Sequence, residues 1–158
     1  MQKLIMVQRG DSDVVAGFGI LNAAGQQQME TITKRLKPLL PSDRVLILSS
    51  ESSLMGAIAR SLQKVLGGRV DFEEYLHLSH QGYEAALLSG LRNRQKEADV
   101  IVLVADTLHT SRFPPYFCQA VWGVSLERIV LGAGEALVID LATRQVTHVS
   151  HSSSVLIS

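Results

Sequence analysis

The sequence has a single cysteine, Cys118, so it can form no internal disulfide and no metal site built from several thiolates. That scarcity fits a reducing compartment, and the cytoplasm is the expected location. Aromatic residues make up 5% of the chain, and Lys plus Arg balance Asp plus Glu at 15 each. With no excess of positive charge there is no broad basic face, so no nucleic-acid partner is expected, and 46% hydrophobic content argues against disorder. Long apolar runs are missing as well. "LIMV" before Gln8 is shorter than a secretory core segment, and "VIVLVA" at Val100–Ala105 is far below the ~20 residues that span a bilayer, so no membrane partner is expected. The G-x-S-x-G elbow, the Walker A loop and G-x-G-x-x-G are all absent, which removes the best evidence for three enzyme classes.

What is present alternates. Leu4–Val7, Val45–Leu48 and Val100–Ala105 are short apolar runs of the kind buried on both faces of a parallel sheet. Helical spacing lies between them: Met29, Ile32, Leu36 and Leu40, with Asn22 as N-cap and Pro41 closing, then Leu54, Ile58, Leu62 and Val65 or Leu66, stopped by Gly67 and Gly68. A third stripe, Leu87, Leu88 and Leu91, is expected to end before "RNRQKEAD". A fourth is expected to begin near Ser111, with Pro114 and Pro115 in its first turn, and to carry Phe117, Ala120 and Val121 to Gly123. "EALVIDL" and "QVTHVS" flank "ATR" as a hairpin would, with Asp140 and the Thr143 to Arg144 turn facing solvent. The pattern predicts one domain over 1–158, α/β in class: a three-layer α/β/α sandwich with a mostly parallel central sheet and a C-terminal β-hairpin.

Ligands in such folds gather where strands exit into loops and helix N-termini. Three segments qualify: Gln8 to Asp13, Ser49 to Ser53, and Asp106 to Arg112. If their strands are neighbours, the three form one pocket. Gly10 permits a sharp turn and Arg9 offers a planar fork of donors for an anion, although a surface arginine on a solvated turn explains the local sequence equally well. The serines at 49–53 can cap a helix or bind phosphate. His109 is the one histidine at a strand exit; His148 and His151 read as surface residues of the terminal hairpin. His77 and His80 stand three apart in what reads as loop, with no third ligand, so no metal is expected, and no cofactor either.

In order along the chain, the strand exits resemble the histidine phosphatase superfamily, and the length is similar to that of the short phosphohistidine phosphatases. The family's first motif is a strand ending in R-H-G, matched in frame by "LIMVQRG" at Val7 and Gly10. Its second, L-T-x-x-G-x-x-Q-A, is matched at Leu21, Gly25 and Gln28, with Asn22 as an equivalent cap. The third, a strand, S-S and a helix opening R-A-x-Q-T-A, keeps Ser49, Ser50 and Ala59; "VLVADTL" parallels the fourth at Val102 to Val104. Members use the first-motif histidine as nucleophile, two arginines and a second histidine to hold phosphoryl oxygens, and a carboxylic acid to protonate the leaving group.

The resemblance places Gln8 at the first arginine, Arg9 at the nucleophile, Leu54 at the second arginine and Thr107 at the second histidine. Arg9 cannot attack phosphorus, because a guanidinium stays protonated and has no free lone pair. Glu73 and Glu74 lie where members place the acid, although an exposed acidic strand end is a simpler account of them. The resemblance therefore implies a catalytically degenerate domain used for binding or regulation. Gln8, Arg9, Gly10, Ser50, Asp106 and Thr107 would line the ligand site, with Arg9 either gripping phosphate or a phosphorylated protein or small molecule, or locked to Asp11 or Asp106. Two alternatives stay open: an active phosphatase using displaced residues such as His109 or His80, and an interaction module with a self-filled pocket, with a homodimer among its forms.

Overall fold

Alternate residues of each central strand belong to different cores, and this sets the layers. In the computed structural model, which describes residues 1–77 and 82–158, Leu4 and Met6 of β1 (Lys3–Gln8) join Leu46, Leu48, Ile101 and Leu103 in one buried cluster. Ile5 and Val7 join Ile47, Val102 and Val104 in the other. The first cluster is closed by α3 (Tyr83–Arg94) and α4 (Thr107–Phe117), the second by α1 (Ala23–Leu36) and α2 (Ser53–Leu66). The result is the three-layer α/β/α sandwich. Each fully buried Leu, Ile or Val contributes roughly 1.5–3 kcal/mol of transfer free energy.

The sheet has seven strands in the order β5-β4-β6-β1-β7-β8-β9. β5 (Arg69–Phe72), β4 (Val45–Ser49), β6 (Val100–Ala105) and β1 run parallel. β7 (Ala136–Asp140), β8 (Gln145–Val149) and β9 (Ser154–Leu156) continue it antiparallel, so the predicted C-terminal hairpin carries one further strand. A separate ribbon, β2 (Ser12–Val15) with β3 (Phe18–Leu21), had no counterpart in the sequence reading; Ala16 and Gly17 make its turn, both at positive φ. No described helix is long and apolar enough to cross a membrane.

The helix starts are those expected for α1 and α2: Asn22 caps the N–H of Gly25 and Ser52 that of Met55. α1 ends at Leu36, and a 3₁₀ turn at Lys37–Leu39 leads toward Pro41. Two further boundaries differ. α3 runs through the charged stretch to Arg94, because Arg94 is held by Asp71, Glu73 and Glu97 and so stays ordered against the end of β5. α4 begins at Thr107, four residues before Ser111, because Asp106 supplies the N-cap. Pro114 and Pro115 therefore lie inside the helix, and a π-helical stretch at Cys118–Trp122 follows them, a common adjustment where proline removes donors. This register buries Phe113 and Phe117, while Ala120 and Val121 are exposed. On α2, Leu66 takes the core position and Val65 faces outward.

Candidate functional site

β4, β6 and β1 are adjacent and parallel, so the three strand exits do lie together at the carboxyl end of the sheet. The β1 exit is fixed from both sides: the Arg9 N–H donates to the Ala105 carbonyl at 3.0 Å, the Gln8 N–H to the Glu135 carbonyl at 2.8 Å, and the Gly134 N–H to the Gln8 carbonyl at 3.1 Å. From there the chain passes directly over the first turn of α1. A Cβ on Gly10 would lie 2.8 Å from the Gly25 carbonyl oxygen, and one on Gly25 would lie 2.9 Å from the Asp11 carbonyl carbon, so glycine is required at both. Gln28, one turn further along α1, closes the contact: its Oε1 accepts from the Asp11 N–H at 2.9 Å and its Nε2 donates to the Asp11 carboxylate at 2.7 Å. The second motif's glycine and glutamine thus hold the first motif's loop.

The positions at which the resemblance places an arginine and a histidine hydrogen-bond to each other. Gln8, 5% exposed, donates from Nε2 to Thr107 Oγ1 at 2.8 Å, and its Oε1 accepts from Thr110 Oγ1 at 2.6 Å. Thr110 falls within the candidate segment Asp106 to Arg112 but is not singled out by the sequence. Its signal was the three-residue spacing from Thr107, which shares a helical face only once α4 is known to start there.

Arg9 is half-buried and donates from Nη1 to Ser12 Oγ at 2.9 Å. Neither expected carboxylate partner holds it: Asp11 is taken by Gln28 and Asp106 by His109, whose Nδ1 lies 3.0 Å from Asp106 Oδ1. That bond, ahead of the burial that opposes it, keeps the Asp106 carboxyl below the usual aspartate range. His109 is 2% exposed, edge-on to the Tyr83 ring with centroids 4.9 Å apart. The Tyr83 hydroxyl donates to the Leu108 carbonyl, and burial pushes its pKa up to about 12. The histidine singled out at a strand exit therefore lies in the packed base of α4 and is not at the surface.

Ser49 and Ser50 are buried, with Ser50 Oγ directed to Ser52 Oγ at 3.4 Å; Leu54 packs beside Gly19 of the ribbon. Glu73 is ion-paired to Arg94, whereas Glu74 is exposed. His80 and the side chain of His77 lie outside the described residues, and no group of three potential metal ligands occurs among the described ones. His148 and His151 are half-buried, contrary to the surface reading. His148 Nε2 lies 3.0 Å from Glu135 Oε1 and His151 Nε2 lies 3.1 Å from the Gly134 carbonyl, tying the terminal hairpin to the segment beside β1.

Neither protein-family models nor curated proteins match the sequence. Solved structures do match. A mycobacterial glucosyl-3-phosphoglycerate phosphatase in complex with VO3 aligns over 100% of this chain and 98% of its own, at 16% identity and a TM-score of 0.65. A candidate alpha-ribazole-5'-P phosphatase from Escherichia coli K-12 aligns over 100% and 98% at 14% identity, with a TM-score of 0.67. The protein histidine phosphatase SixA complexed with tungstate covers 94% of this chain and 97% of its own, at 14% identity and a TM-score of 0.65.

Proposed function

We propose that this chain, which has the fold of the histidine phosphatases, uses its strand-exit pocket to hold an anionic or phosphorylated ligand without turning it over. The observation that carries the reading is the Thr107–Gln8–Thr110 hydrogen-bond chain. It is neutral, and it occupies the two positions where the resemblance calls for charge-assisted phosphoryl ligands, which are roughly twice as strong as neutral ones. Leu54 supplies no donor at the third. At the nucleophile's position Arg9 can bind but cannot attack. Its guanidinium has five donors, and Ser12 accepts from one of its nitrogens, so a tetrahedral oxyanion at the β1 exit has donors to meet.

Vanadate and tungstate are the natural probes, since two proteins of this fold were solved with such oxyanions. Calorimetric titration of the wild type should show binding that Arg9→Ala weakens about tenfold, while phosphomonoesters, a phosphohistidine peptide and phosphoaspartate are not hydrolysed. Turnover abolished by Arg9→Ala would sink the proposal. The same hydrogen-bond chain favours a second reading, an interaction module whose pocket is filled by its own side chains. That reading expects no oxyanion binding by the wild type. Hydrolysis through His109 would require a side chain that is 2% exposed to leave Asp106 and the Tyr83 ring.

A further inference from the structure

The β2–β3 ribbon breaks the alternation that a solvent-facing ribbon normally shows. Val14 pairs with Gly19, and Gly19 lies against Leu54, so that face turns toward α2. Asp13 pairs with Ile20 and Val15 with Phe18, which places Val15, Phe18 and Ile20 together on the outward face. They are 54%, 64% and 49% exposed, and Val14 at the edge is 78% exposed. A two-stranded ribbon is marginal by itself, and an apolar one facing water needs a cover.

The ribbon stands at one end of a cleft of about 690 Å³ between α1 and α2, walled by Leu21, Met29, Leu54, Ala57 and Val65. Lys34 and Val65 mark its far end. Lys64, seven residues after Ala57, lies on the same face of α2. Asp13 belongs to the ribbon end. None of Asp13, Lys34 and Lys64 has an ion-pair partner among the described residues. The patch thus has a convex apolar end carrying an acid and a concave apolar end carrying two lysines, with Glu30 midway as the one opposing charge.

Such a patch complements itself under two-fold rotation. We infer that it is the docking face for a second copy of this chain: each protomer lays its ribbon in the far half of its partner's cleft, Val15 and Phe18 against Ala57 and Val65, with Asp13 toward Lys34 and Lys64. Ile20 also borders the cleft, so a small molecule there would reach it but would leave Val15 and Phe18 wet, whereas a second copy covers all three. The formal net charge of zero also removes long-range repulsion between copies.

Analytical ultracentrifugation of the full chain over a concentration series tests this. The wild type should sediment as a monomer–dimer equilibrium. Phe18→Glu should raise the dissociation constant about 30-fold, as truncation of a central aromatic anchor does, with an unchanged circular dichroism spectrum because Phe18 is not in the core. Asp13→Lys and Lys64→Glu should each weaken the dimer, and the two together should recover part of the loss. A monomer at every concentration overturns the inference, as does a dimer indifferent to Phe18→Glu, which would assign association to another surface such as the β9 edge. A monomer that takes up an apolar fluorophore in the cleft gives the cleft a small-molecule occupant and overturns it too.

Discussion

Gly25→Ala should cost about 3 kcal/mol or more of stability, although helix propensity alone favours alanine over glycine by about 1 kcal/mol. The two effects oppose each other, and distance decides between them. The new methyl group would fall within the contact shell of the Asp11 carbonyl oxygen, 2.9 Å from its carbon and 3.0 Å from the Asp11 nitrogen. The obstacle is backbone, not the end of a flexible side chain. Relief requires the loop to lift from α1, and the loop cannot lift alone: Gln28 holds Asp11 and the Asn22 N–H donates to the Asp11 carbonyl. Urea unfolding should show a lower midpoint at an unchanged m-value if the fold survives. Gln28→Ala, which removes the clasp without adding bulk, should cost about 1 kcal/mol. A Gly25→Ala protein as stable as the wild type would mean that the loop does not press on α1 as described.

That contact also shows how the sequence carries its fold. Gly10, Gly25 and Gln28 are legible as motif positions from sequence alone, because a frame needs specific residues wherever backbones touch. The buried strands, the cap at Asn22 and a capping serine within Ser49 to Ser53 are legible for a similar reason, since apolar runs and capping side chains are local signals; the structure shows the serine to be Ser52. The β2–β3 ribbon was not legible. Its strands are four residues each, it packs on the main body through only one face, and its outward side violates the polar alternation by which such strands are recognised. β9 is too short to show a period, and β5 shows only as the strand end before Glu73 and Glu74. At the site, the resemblance placed Gln8 and Thr107 together, and they do hydrogen-bond; of the two fates open to Arg9, a lock on Asp11 or Asp106 is not seen because other partners hold both carboxylates. Pairing among Asp11, Gln28, Asp106 and His109 depends on where α1 and α4 begin, and the α4 start was misplaced by the weight given to two prolines.

The start of α4 is where the second large effect is expected. Asp106 does two things with one carboxylate: it caps the helix by accepting from the His109 N–H at 3.2 Å, and it receives the His109 ring at 3.0 Å. Asp106→Ala removes a cap, worth about 1 kcal/mol, and takes the carboxylate from a buried ring donor, worth about 1–3 kcal/mol, so a total loss of about 2–4 kcal/mol is expected. Asp106→Asn keeps a capping oxygen and an acceptor for the ring, and should lose far less near neutral pH. The two variants separate geometry from charge, and pH separates them further. Because the folded-state pKa of Asp106 is depressed, chiefly by its bond to His109, its charge contributes fully above the unfolded value of ~3.9 and the contribution disappears as pH falls through the folded value. Glu97 and Glu135 are depressed as well and titrate in the same acidic range, so the wild-type curve alone cannot report on Asp106. The difference between wild type and Asp106→Asn removes their contribution. It should shrink toward zero on acidification below about pH 4. A difference that stays constant down to pH 2 would show that the carboxylate's charge adds nothing to the cap. Since Thr107 and Thr110 sit in this same first turn and hold Gln8, Asp106→Ala should also loosen the hydrogen bonds that fix Gln8.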